Sequence, residues 1–86
     1  MKIRQDISIG NNIRNLRKKC KLTQEQVAAK LQVQGCDITR SIYSRYETGQ
    51  LNIPVSVLIA LRNIFKCEYA DFFVNLEIKF TELTNI

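Results

Sequence analysis

Histidine is absent from these 86 residues, and the three cysteines, Cys20, Cys36 and Cys67, are far apart and odd in number. A four-ligand zinc site needs Cys or His in close pairs, so a single chain cannot build one, and no metal is expected. A disulfide framework is excluded on the same count, which leaves three buried thiols acting as small hydrophobes as the expectation. No motif sets a base beside a serine or cysteine nucleophile, and the three glycines form no phosphate-cradling loop. Catalysis is therefore not expected, nor is any cofactor. No apolar run approaches the length of a membrane span, and Met1-Lys2-Ile3-Arg4-Gln5-Asp6 lacks the apolar segment of a signal peptide. These absences predict a cytoplasmic protein with no membrane partner and no small-molecule ligand.

Acidic residues are scarce in one half only. Residues 1–45 carry ten Lys/Arg against three Asp/Glu, a balance of +7, whereas residues 46–86 carry three against five, a balance of −2. A net charge of +5 concentrated in this way marks a face that attracts polyanions. A membrane surface would want a basic amphipathic helix with aromatic anchors, and none is present.

The chain is organised around Thr39-Arg40-Ser41-Ile42-Tyr43-Ser44-Arg45-Tyr46-Glu47-Thr48-Gly49. A hydroxyl residue able to cap a helix opens it, and a glycine suited to a position just past a helix closes it. Ile42, Tyr43 and Tyr46 fall on one helical face, with Arg40, Ser41, Ser44 and Arg45 opposite. A short helix with an apolar back and a front of arginines and hydroxyls suits the major groove of DNA. Arginine donates two hydrogen bonds to guanine, and hydroxyls adapt to a base edge or a phosphate.

The flanking segments read as follows. Residues 1–8 form an arm. Ile9, Ile13, Leu16 and Cys20 recur at helical spacing and predict a helix from Ile9 to Cys20, with Arg17 beside the apolar stripe and so facing a partner inside the fold. Thr23 with Gln26 makes a capping box for a second helix, Leu22 and Val27 form its staple, and Val27, Ala28 and Leu31 form its buried face. The connection over 33–38 leaves either Asp37 or Thr39 as cap of the next helix. Val55–Phe65 predicts a fourth helix, with Pro54 suited to its start. Glu68–Phe73 reads as a short fifth, with Phe72 and Phe73 closing the core. Leu76, Ile78 and Phe80 alternate with polar residues, a strand signal in a tail over 76–86. That tail either pairs with a second chain or with the arm, or is frayed.

Leu22-Thr23-Gln24-Glu25-Gln26-Val27-Ala28 followed by Tyr43-Ser44-Arg45-Tyr46-Glu47-Thr48-Gly49 resembles the Cro/phage-repressor type of helix-turn-helix, the XRE family. The match runs from Ile9 to Phe73. The resemblance implies an all-α, five-helix, lambda-repressor-like bundle over residues 9–75, with helix 3 in the major groove. It further implies that Arg40, Ser41, Ser44 and Arg45 face bases and that Thr23, Gln24, Thr39, Gln50 and Asn52 lie on phosphates. Arg17 would pair with Glu47 as a structural tie. The implied function is a sequence-specific transcriptional regulator, most simply a repressor, acting as a homodimer on a pseudo-palindromic double-stranded operator. The second reading is a protein-interaction module such as an antitoxin that binds a partner and autoregulates, which the acidic, apolar-rich second half favours. One departure stands out. Leu31 and Tyr43 are twelve positions apart where the family has about seven, so the usual three- to four-residue turn is longer by about five. The longer turn either adds DNA contacts or wraps the domain, and its lack of Lys and Arg favours the second.

Overall fold

Four α-helices account for most of the fold in the computed structural model, which describes residues 8–76. They are α1 (Gly10–Lys19), α2 (Gln24–Val33), α3 (Arg40–Thr48) and α4 (Val55–Phe65), followed by a 3-10 helix over Tyr69–Phe73. No strand occurs among the described residues. Most of the arm, and the tail beyond residue 76 with its proposed strand, lie outside them.

Each helix end has a local cause. Thr23 accepts from the Gln26 amide at 3.1 Å while the Gln26 side chain accepts from the Thr23 amide at 2.8 Å, the reciprocal box that starts α2. Thr39, not Asp37, caps α3, its hydroxyl accepting from the Ile42 amide at 3.2 Å. Gly49 follows α3 at φ 80°, a left-handed conformation that costs glycine nothing. Pro54 sits one position before α4, as its cap.

The long connection begins with Gly35 at φ 90°, where the amides of Gly35 and Cys36 return to the carbonyls of Gln32 (3.0 Å) and Leu31 (2.9 Å) and close α2. Cys36 and Ile38 then pack against the core, and Gln34 accepts from Asn63 of α4 at 3.3 Å. The segment lies along the bundle.

The core gathers one face of every helix: Ile13, Val27, Leu31, Tyr43, Leu61 and Phe72 are fully enclosed. Three expectations need correction. The fifth helix is a 3-10 turn, because five residues are too few to sustain an α-helix and Asn12 takes its closing carbonyls, donating to Phe72 and Val74 at 2.9 Å each. Phe72 and Phe73 project in different directions from that turn, so Phe72 is buried while Phe73 is 49% exposed. The thiols are not all buried either: Cys20 is exposed, and Cys36 and Cys67 are only partly covered.

Gly10 went unremarked in the sequence, yet it sets how closely α1 approaches α3. A Cβ there would sit 2.6 Å from the Tyr46 carbonyl and still closer to that of Glu47, both backbone atoms that cannot turn aside. Gly10→Ala should therefore lower the unfolding free energy by about 1–3 kcal/mol, the usual range for overpacking. Urea melts of the two proteins measure it.

Candidate nucleic-acid interface

The back of α3 fixes its front. Tyr43, Tyr46 and Glu47 are buried against the bundle, while Arg40, Ser41 and Arg45 are exposed and Ser44 is half-buried. The helix therefore presents two arginines and two serines on the side away from the core.

Glu47 is the one buried charged residue among those described. Its carboxylate accepts from Arg17 Nε at 2.6 Å and Nη2 at 3.2 Å, and from Gln24 Nε2 at 3.0 Å. The pair is well enclosed, with side-chain exposures of 12% for Arg17 and 3% for Glu47. Arg17 donates a third bond to the Leu22 carbonyl at 3.0 Å, which ties the corner between α1 and α2 to the same point. Burial by itself would raise the Glu47 pKa. The hydrogen bonds from Arg17, with further help from the neighbouring Tyr43 phenol and Gln24, reverse that and hold the carboxyl below its ordinary value. Tyr43 is pushed far up, first by burial and then by the adjacent carboxylate, and stays neutral. Its hydroxyl is buried without a hydrogen bond of good geometry.

Gln24 carries the network one step further. Its amide oxygen accepts from Arg40 Nη1 at 3.3 Å, so a chain of polar contacts runs from Arg17 through Glu47 and Gln24 to a guanidinium on the exposed face of α3. The position of Gln24 at the head of α2 was legible from the capping box, but its two side-chain partners were not.

Thr23 and Thr39 both serve as caps. Their hydroxyl oxygens accept from backbone, which leaves each O–H proton available to donate outward. The first turns of α2 and α3 also present unbonded N–H groups, a setting that favours phosphate. Gln50 and Asn52 are exposed in the loop after α3, and neither carries charge. Arg14, Lys18, Lys19 and Lys21 are exposed on and just after α1, and thus add positive charge next to the Arg17–Gln24 corner.

A family model described as Helix-turn-helix matches residues 13–72, well over half of the chain. Neither curated proteins nor solved structures give a match. With that coverage the chain belongs to the helix-turn-helix family of the Cro/phage-repressor, or XRE, type, a family of DNA-binding regulators rather than enzymes. No helix among the described residues is long and apolar enough to cross a membrane.

The clamp has a pH signature. Because the folded-state pKa of Glu47 is depressed, its stabilisation is complete above the unfolded glutamate value of about 4.3 and is lost as pH falls through the lower folded value. Arg17→Ala should cost about 3–5 kcal/mol at pH 7, since it leaves a buried carboxylate without its main partner. Glu47→Gln should likewise be less stable at neutral pH, and its deficit should shrink toward pH 3. Denaturant melts across this range check both sign and size.

Proposed function

We propose that this protein is a sequence-specific repressor of transcription that reads double-stranded DNA in the major groove with α3. The observation that carries the reading is the row of exposed Arg40, Ser41 and Arg45 with half-buried Ser44, on a helix whose other side is locked by the Arg17–Glu47 pair. Arg40 and Arg45 are the guanine readers, and Ser41 and Ser44 adapt to neighbouring edges. Thr23, Gln24 and Thr39 set the register through phosphates at the heads of α2 and α3, with Gln50 and Asn52 beside the backbone further along. Gln24 has a dual role: it holds Arg40 while the protein is free and turns toward phosphate in the complex.

A reading surface this small needs a second copy, and half-sites about 34 Å apart follow from one helical turn of DNA. A stripe on α4 supports the homodimer. Val55 is 72% and Ile59 45% exposed, one turn apart, and Leu51 just upstream is 37% exposed. Pairing two copies there covers apolar surface and makes the operator pseudo-palindromic. The second reading, a module that binds a partner protein and autoregulates as an antitoxin does, is favoured by a different patch, Tyr69, Phe73 and Val74, each more than 40% exposed.

Selection from a randomised duplex library tests the DNA reading. The wild type should enrich an inverted repeat, and Arg40→Ala should relax one base pair per half-site by about 1–3 kcal/mol of discrimination. Binding without enrichment, unchanged in an Arg40→Ala/Arg45→Ala double variant, would overturn the reading. The neutral loop predicts a second result. Gln50→Lys should steepen the dependence of log affinity on log salt by about 1 per half-site, the slope added by one new charged phosphate contact. Ile59→Glu should turn the protein into a monomer on a sizing column, with operator binding correspondingly weakened.

A further inference from the structure

Two of the three thiols share one cavity, and nothing in the DNA reading uses them. Cys20 stands directly after α1, and Cys67 two positions after α4. Both line a cavity of about 520 Å³ whose apolar walls include Leu16, Phe65 and Val74. The Cys20 thiol donates to the Phe65 carbonyl at 3.6 Å. Cys67 follows Phe65 by two residues, so the Cys20 thiol is bonded to the same short segment at the end of α4 that carries Cys67. Both thiols are free, and Cys20 is open to solvent.

From this juxtaposition we propose that Cys20 and Cys67 form a two-thiolate site for a soft, two-coordinate metal ion, of which copper(I) is the type. The ligand count selects the metal. Among the described residues no three His, Cys, Asp or Glu side chains come together to hold an ion, so tetrahedral zinc is not served. Thiolates select copper(I), and two of them complete its linear geometry. With metal–sulfur bonds of about 2.3 Å, the value for thiolate on zinc, a linear site sets the two sulfurs roughly 4.6 Å apart across the cavity. On binding, each thiol gives its proton to solvent, so two protons leave for one cation gained and the site becomes singly negative. Occupancy would tie the end of α1 to the end of α4, and Cys20 leads through Lys21 and Leu22 into Thr23 and Gln24. The site nevertheless stands or falls independently of the DNA reading.

The test is an anaerobic competition between the reduced full chain and the chromogenic chelator bathocuproine disulfonate for copper(I). The wild type and Cys36→Ser should each withdraw one copper per chain. Outer-sphere changes at metal sites typically cost 10- to 100-fold, so loss of a ligand in Cys20→Ser or Cys67→Ser should weaken binding by about 100-fold or more. No withdrawal by the wild type, withdrawal of one copper by two chains, or equal withdrawal by the serine variants would overturn the proposal. Thermal melts by circular dichroism show whether each variant is folded. Dibromobimane, which fluoresces once it bridges two nearby thiols, tests the pairing on the wild type alone. Bridging that disappears in either Cys20→Ser or Cys67→Ser supports the site, and no bridging counts against it.

Discussion

A carboxylate near the C-terminal end of a helix faces the negative pole of that helix, and a buried one also loses its hydration. Glu47 suffers both, in the last turn of α3. It is tolerated because three hydrogen bonds from two other helices converge on it, two from Arg17 and one from Gln24. The residue is thus a poor choice for α3 alone and a good one for the assembly. Without it α3 would still form, since Thr39 and Gly49 define its ends, but of the polar contacts described that fix its rotation against α1 and α2 only the 3.3 Å one from Arg40 to Gln24 would remain. The exposed row of arginines and serines inherits its direction from that rotation.

The same clamp explains why so few charges surround the proposed reading face. Arg17 is consumed internally, and Gln24 divides its amide between Glu47 and Arg40. The loop after α3 offers the exposed, uncharged Gln50 and Asn52, side chains able to hydrogen-bond a phosphate but not to release counterions. Positive charge is displaced instead to the α1 side, in Arg14, Lys18, Lys19 and Lys21. In the proposed function, long-range attraction and close reading thus fall to different elements. The first falls steeply with salt, and the second depends on geometry.

What the sequence disclosed was mostly what is local. The capping box at Thr23 and Gln26, a cap at Asp37 or Thr39, which the structure settles as Thr39, and the glycine after α3 each act within a few residues, so their chemistry can be read in a line. The helical stripes were legible for the same reason. Contacts between distant segments were not. Gly10 looked like any glycine, because its meaning lies in carbonyls of Tyr46 and Glu47 from the far side of the fold. Phe73 was assigned to the core on composition, but a 3-10 turn cannot aim two consecutive aromatics inward. Cys20 continued the apolar spacing of α1, yet it falls just beyond the helix end, where the stripe no longer faces the core. Apolar spacing placed Arg17 beside the core, whereas its partner came only through family resemblance, since nothing in the spacing names a residue thirty positions away.

The lengthened turn between α2 and α3 poses the sharpest question, because in a helix-turn-helix the turn is commonly taken to set the angle between the helices. Here the angle has other guarantors. Gln24, at the start of α2, bonds directly to Glu47, near the end of α3, and Gly10 lets α1 press on the same end of α3. Both constraints act far from the turn. Loop-closure entropy rises only slowly with length, so about five extra residues cost less than 1 kcal/mol in closure. Part of that is offset where Cys36 and Ile38 cover the core and Gln34 meets Asn63. This fold therefore absorbs an insertion at the turn, because the geometry of α3 is held elsewhere, by a buried charge and a missing Cβ.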